Sequence, residues 1–216
     1  MPVVRFEGQT VVVTEQEQVE EAVEYLNAQK IVGVDTESRP AFHKGERFPV
    51  SLVQIATEEK CFLFRLRVLG MPDALVSVFT NPNITKVGLA FKDDIEGLRR
   101  LRRFKPQGCV DVQSMVNNYG IFELGLQKLF AILYGKKISK SQQLTNWDNA
   151  VLTPDQARYA STDAWATLLI YNKLLSMERL PAKMVEEMKK AEHVRLLDHQ
   201  RQVQEEKGTG IDDKKN

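Results

Sequence analysis

Four acidic residues and one tyrosine stand where a folded chain normally buries apolar side chains. Asp35 and Glu37 close the run Ile31-Val-Gly-Val-Asp-Thr-Glu37, and Asp94 lies in Lys86-Val-Gly-Leu-Ala-Phe-Lys-Asp-Asp-Ile95. Tyr159 precedes Asp163 by one helical turn in Tyr159-Ala-Ser-Thr-Asp163. Carboxylates in such places are costly unless something pairs with them, and metal ions are the usual partner. Oxygen-rich carboxylate sites suit Mg²⁺ or Mn²⁺. Two such ions about 3.5–4 Å apart can clamp the attacking and leaving oxygens of an in-line displacement, which is phosphodiester chemistry.

The elements that must position these residues can be read from periodicity. Lys30 to Glu37 reads as a central strand, because Ile31, Val32 and Val34 are apolar on both faces. Strand residues alternate, so Asp35 and Glu37 point one way and Thr36 the other. Two neighbouring carboxylates repel each other until they share divalent cations; a strand end that meets solvent is the bland alternative. Thr10 to Thr14, Pro49 to Ala56, Lys60 to Leu66, Ile84 to Gly88 and Cys109 to Val112 read as further strands, the second and third as a hairpin turning at Thr57-Glu-Glu59. Glu15 to Gln29 reads as an amphipathic helix with Val19, Ala22, Val23 and Leu26 on its buried stripe. Helices are also expected over Pro72 to Phe79, Asp93 to Phe104 and Leu124 to Tyr134. Asp94 then opens a helix, a position the helix dipole favours without any function, and Asp93 can share that role. Thr153-Pro-Asp-Gln156 is a strong helix start, with Thr at the cap, Pro at the first position and Gln able to close a capping box. That helix runs to about Leu175 and puts Tyr159 and Asp163 on one face. The fold class is α/β, with a mixed central sheet flanked by helices.

The residues around the acids extend the pattern. They include Phe48-Pro-Val-Ser-Leu-Val-Gln-Ile55, Leu124-Gly-Leu-Gln-Lys-Leu129, Leu133-Tyr-Gly-Lys136, Asn146-Trp147, and Leu152-Thr-Pro-Asp-Gln-Ala-Arg-Tyr-Ala-Ser-Thr-Asp-Ala164. From about Val11 to Leu175 the chain resembles the DEDD 3′–5′ exonucleases of the ribonuclease H-like superfamily. Within them it is similar to the tyrosine branch: ribonuclease D, the proofreading domain of family A DNA polymerases and, above all, the Werner-type exonuclease domain. The resemblance implies a ribonuclease H-like fold and two Mg²⁺ or Mn²⁺ ions. Asp35, Glu37 and Asp163 would hold one ion, and Asp35 with Asp94 the other. Asp94 is preferred to Asp93 on its spacing from Gly88 and Leu98. Tyr159 would orient the attacking water. No histidine stands near Tyr159, so the histidine branch does not apply. The implied reaction removes nucleoside 5′-monophosphates one at a time from single-stranded or recessed 3′ ends, DNA being favoured. Alternatives are an RNA 3′-trimming or oligoribonucleotide-degrading nuclease, and an inactive module that binds nucleic-acid ends. Ser38-Arg39 and Asp148-Asn-Ala-Val151 depart from the family pattern without touching an acid.

Thr36 is expected to contact the terminal nucleotide and Phe91 or Phe42 to stack on its base, although either aromatic serves equally well as packing. Lys44, Arg47, Lys136, Lys137 and Lys140 lie in loops near the expected site and are candidates for phosphate contacts. Arg99-Arg-Leu-Arg-Arg-Phe-Lys105 is the densest basic run; Arg99, Arg102 and Arg103 would share a face, with Leu98 and Leu101 inward, and a solvated face is its commoner meaning. The net charge is only +1, so nucleic-acid binding must come from such local patches.

The 216 residues are 43% hydrophobic, enough for one core and a short appendage. The expected division is an exonuclease domain over 1–178 and a charged helical tail over 179–216, helical from about Met184 to Gln204 and disordered from Glu205 to Asn216. The stretch after Asp163 is expected to be too short for the helical RNA-binding domains of ribonuclease D. The tail helix can pack on the core or on another copy, leaving a homo-oligomer open. No secretion signal or membrane span is read, and two cysteines, Cys61 and Cys109, make no disulfide framework; a reduced cytoplasmic protein is the expectation.

Overall fold

The structure is a computed structural model that describes residues 1–209. Six strands form one sheet: β1 (Gln9–Val13), β2 (Ile31–Ser38), β3 (Val50–Ala56), β4 (Lys60–Arg65), β5 (Thr85–Gly88) and β6 (Cys109–Asp111), ordered β1-β4-β3-β2-β5-β6. The β2/β3 and β3/β4 pairs are antiparallel and the remaining pairs parallel. Strand β2 therefore sits in the middle, as its apolar run requires.

The helices are α1 (Gln16–Asn27), α2 (Leu66–Leu69), α3 (Asp73–Thr80), α4 (Phe91–Leu101), α5 (Leu126–Tyr134), α6 (Pro154–Leu175) and α7 (Ala182–Thr209). On one face of the sheet, α1, α3 and α4 bury the Val19, Leu26, Leu75, Phe79 and Leu98 side chains against Val32, Val34 and Ile55. Each fully buried side chain of this kind contributes roughly 1.5–3 kcal/mol. On the opposite face α6 crosses β2, and α5 packs beside it through Leu129 and Phe130.

The α6 crossing is unusually close. A Cβ on Gly33 would lie 2.1 Å from the Ala164 carbonyl oxygen and 2.9 Å from the Leu168 Cβ. Glycine at 33 thus lets the helix backbone rest directly on the strand that carries Asp35 and Glu37. The predicted cap is present: Thr153 Oγ1 accepts from the Gln156 amide at 3.1 Å, and Gln156 returns the bond to the Thr153 amide at 3.0 Å.

Most boundaries differ from the sequence reading by a residue or two, and those of α4, α5 and α7 have the clearest consequences. Helix α4 begins at Phe91 and ends at Leu101, rather than spanning Asp93 to Phe104. Its start is set by Asp111 of β6, whose carboxylate accepts from the Ala90 and Phe91 amides and holds Ala90 at φ 55°. Helix α5 starts at Leu126, two residues later than expected. Residues 205–209, expected to be disordered, continue α7, because that polar stretch holds no proline to stop a helix; the rest of that expectation, residues 210–216, lies outside the described residues. The first turns of α7 pack on the core, where Val185 is buried and the Met188 side chain meets Gly120. Among the described residues, no helix is long and apolar enough to cross a membrane.

Candidate active site

The close α6 crossing brings two elements distant in sequence to one point. Asp35 and Glu37 share the β2 face with Gly33, beneath α6, and Asp163 descends from α6 onto the same face. One carboxylate oxygen from each of Asp35, Glu37 and Asp163 lies within 4.8 Å of the others. Asp94 stands just outside this trio. It occupies the first turn of α4, where β5 has ended and no longer flanks β2, and its Oδ1 accepts from the Thr36 hydroxyl at 2.5 Å. Thr36 points away from Asp35 and Glu37, as the strand period requires, and so reaches Asp94 rather than the trio.

The electrostatics follow from this crowding. Loss of water and the Asp163 charge push Asp35 up to about 8. Desolvation, then the charges of Asp35, Asp163 and Asp94, push Glu37 up to about 10. Asp94 rises to about 8 through desolvation and the Asp35 charge, against the Thr36 hydrogen bond. Asp163, 4% exposed, rises to about 7 through burial, with the adjacent Tyr159 hydroxyl opposing the rise. Each acid is thus driven toward its neutral form unless positive charge arrives. Among the described residues, Asp163 Oδ1 is buried with no hydrogen-bond partner. Four oxygen-donor side chains, mutual repulsion and an orphaned carboxylate oxygen fit a hard divalent cation well.

Tyr159 is held by packing. Its ring centroid lies 6.0 Å from that of Trp147, which is fully buried. Burial, then the Asp163 charge, push its hydroxyl pKa well above 10, so it stays protonated at neutral pH. The Asn146–Val151 segment that carries Trp147 is fastened from below. Ser51 Oγ donates to Asp148 at 2.5 Å, and the buried Arg65 guanidinium donates to the Asn149 and Ala150 carbonyls. Desolvation lowers the Arg65 pKa while the Asp148 charge opposes it.

The candidate nucleic-acid contacts divide. Phe91 is 2% exposed and packs in the core, where its ring fills the space a Cβ on Gly88 would need, so it does not offer a face for stacking. Phe42 is 74% exposed. Arg47 lines an open groove of about 710 Å³ with Thr36, Ser38, Phe48, Asp93, Asp94 and Arg100. Lys44 is exposed on the same loop. Lys136, Lys137 and Lys140 are exposed on a loop whose Ser139 and Ser141 border a cavity of about 260 Å³ reaching Tyr159. The expected face of Arg99, Arg102 and Arg103 is not the one formed. Because α4 ends at Leu101, Arg102 turns to Asp73 and to the Met71 carbonyl, and Leu101 is 40% exposed. Arg99, Arg100 and Arg103 instead border one groove with Glu96.

Sequence reading missed three residues of this neighbourhood. Asp111 sets the turn before Asp94, 21 residues from the Ala90 amide it holds, and nothing local to either position signals it. Arg65 reads as the polar end of a strand. Gln54 is a lone amide within the apolar run Val50–Ala56, which was a visible signal, but its neighbour is known only once β2 and β3 are paired.

Residues 10–178 match the family described as 3′–5′ exonuclease. The bifunctional 3′–5′ exonuclease/ATP-dependent helicase WRN of Mus musculus is 33% identical over 150 residues, covering 67% of this chain and 11% of that protein. Ribonuclease D of Escherichia coli, an exoribonuclease involved in structured RNA processing, superposes with a TM-score of 0.69 at 25% identity, covering 78% of this chain and 44% of that one. The Nibbler EXO domain of Aedes aegypti gives a TM-score of 0.71 at 22% identity, covering 87% of this chain and 99% of that one. The central six-stranded sheet with flanking helices is thus the ribonuclease H-like architecture of exonuclease domains. The chain spans about a tenth of the length of the WRN protein and less than half of ribonuclease D.

Proposed function

Because the chain belongs to the 3′–5′ exonuclease family, we propose that it is a divalent-cation-dependent exonuclease that shortens DNA from 3′ ends and releases nucleoside 5′-monophosphates. The observation that carries this reading is the convergence of Asp35, Glu37 and Asp163, with Asp94 beside them, on the α6-covered face of β2. Asp35, Glu37 and Asp163 would hold one Mg²⁺ or Mn²⁺ ion, and Asp35 with Asp94 the second. Such a pair supplies charge stabilisation to the attacking and leaving oxygens of an in-line displacement.

The remaining work falls to the chain itself. Tyr159 keeps its proton, so its hydroxyl can donate one hydrogen bond and accept another, which orients the attacking water. Trp147 fixes the tyrosine ring, and the Ser51–Asp148 and Arg65 contacts fix Trp147. The Thr36 hydroxyl holds the Asp94 carboxylate in one orientation, and the Thr36 backbone can contact the terminal nucleotide. Phe42 is the exposed aromatic available to stack on the last base. Lys44, Arg47, Lys136, Lys137 and Lys140 would receive backbone phosphates on either side of the acids.

The likeness to the WRN exonuclease supports the DNA reading; an RNA-trimming or oligoribonucleotide-degrading role is the second reading, and the ribonuclease D likeness supports it. A time course on 5′-labelled single-stranded DNA, a recessed 3′ end and a matched RNA, each with Mn²⁺, Mg²⁺ or EDTA, decides. A cation-dependent ladder shortening fastest on DNA is expected. Faster shortening of RNA or of dinucleotides moves the substrate to the second reading. Binding without cleavage under any cation overturns the enzyme assignment in favour of an end-binding module.

A further inference from the structure

Gln54 is a fully buried glutamine in the middle of an apolar strand. Strand register puts it directly opposite Asp35 on β2 and opposite Leu63 on β4. Opposed residues of an antiparallel pair share a face with Cβ atoms about 4.5–5.5 Å apart, so the Gln54 side chain starts next to that of Asp35 on the same face. The same face is roofed by α6, where Ala160 and Ala164 join Leu52, Ala56 and Leu63 in an apolar wall. Among the described residues, neither Gln54 Nε2 nor Oε1 has a hydrogen-bond partner. Asp163 Oδ1, Trp147 Nε1 in the same wall and Arg65 Nε are likewise buried without a partner among the described residues. Buried amides are nearly always paired, and an apolar side chain of the same shape would avoid the desolvation altogether. A glutamine kept dry and unpaired beside Asp35 is therefore matched to something that completes the site.

Resting on the cation reading above, we propose that Gln54 is a positioning residue of the divalent-cation site. Its Nε2–H donates to a carboxylate oxygen of the Asp35–Asp163 set and turns that carboxylate toward the ion. Its Oε1 is then an acceptor in the apolar wall available to the hydration water of a bound cation. Hydrogen bonds behind the ligands of a metal typically change its affinity by about 10–100-fold, because they fix ligand orientation in advance. A glutamine that only packs would show no such link.

The test is isothermal titration of the full chain with Mn²⁺, for the wild type, Gln54→Met, Gln54→Asn and, as a control, Asp35→Asn. Gln54→Met keeps the length and removes both polar ends; Gln54→Asn keeps the amide but withdraws it by one methylene. Both are expected to bind Mn²⁺ about tenfold more weakly or worse. In EDTA, Gln54→Met should melt at or above the wild-type temperature, since an unpaired buried amide is gone, while the Mn²⁺-induced rise in melting temperature shrinks. Turnover should fall with the KM for nucleic acid unchanged. Wild-type Mn²⁺ affinity in both variants overturns the proposal. If Gln54→Met fails to fold, Gln54→Asn decides the matter on the same readout. Absence of Mn²⁺ binding in the wild type overturns the cation reading itself, whereas a wild type that differs from Asp35→Asn but equals the Gln54 variants removes only Gln54.

Discussion

Replacing Asp163 by Asn should stabilise the cation-free protein, by an amount that is absent near pH 4 and grows to its full size near neutral pH. The carboxyl is 4% exposed and its pKa rises from 3.8 to about 7 on folding, chiefly through burial. A carboxyl that holds its proton more tightly when folded adds no penalty below the unfolded pKa. Stability then falls as pH climbs from about 4 to about 7, because the unfolded chain releases the proton first. At about 1.4 kcal/mol per pKa unit, the full penalty near pH 8 is roughly 4 kcal/mol. The Asp163 charge in turn raises Asp35 and Glu37, so the three carboxyls titrate together and roughly half of that is a fair lower bound for Asp163 alone. Asparagine is neutral throughout and nearly the same shape. In a chain of this size each kcal/mol moves the melting temperature by about 2–4 °C, giving a gain of roughly 5–15 °C at about pH 8 in EDTA. Near pH 4 the gain should vanish. With saturating Mn²⁺ the order should reverse at about pH 8, since ligand binding stabilises only the protein that retains the site. Thermal melts of both proteins at the two pH values, with EDTA and with Mn²⁺, check all of this. An EDTA melting advantage that is equal at both pH values, or absent at about pH 8, refutes the account of the acids as mutually repelling and desolvated.

Three further perturbations test neighbouring parts of the site. Tyr159→Phe should lower turnover by roughly 10²-fold or more while leaving Mn²⁺ affinity within a factor of about two, because the hydroxyl orients water and the ring still packs on Trp147; unchanged single-turnover rates would remove the hydroxyl from the mechanism. Gly33→Ala should cost roughly 1–3 kcal/mol and at least tenfold in activity, since its Cβ has the Ala164 carbonyl 2.1 Å away and α6 must lift, taking Asp163 with it; a wild-type melting temperature with full activity would show that the close crossing does not matter. Arg47→Ala combined with Arg100→Ala should weaken single-stranded DNA binding and flatten its salt dependence by about one in slope per lost phosphate contact. An unaltered slope in fluorescence anisotropy would take the strand out of that groove.

What could be read in the sequence is what depends on local period. Asp35 and Glu37 share a face because strand residues alternate, Tyr159 and Asp163 because helical residues recur at four, and Thr153 with Gln156 announces the start of α6. Each of these is a statement about residues at most four apart, and each survives folding. The corrections share a different character. Phe91 was a candidate for stacking because an aromatic beside an acid suits both roles; it became core when Asp111, from β6, set the start of α4 and turned the ring under Gly88. Arg102 left its expected face because α4 stops at Leu101, three residues earlier than expected, where the chain turns toward Asp73. Gln54 had no assigned role because its neighbour is defined by the β2/β3 register, not by spacing along the chain. The acids could be read because repulsive carboxylates need no partner to be conspicuous. Residues that orient them gain their meaning only from a partner tens of positions away. For the same reason Gly33, an ordinary glycine inside an apolar strand, governs the site as firmly as any acid: without its missing Cβ, α6 cannot bring Asp163 to Asp35.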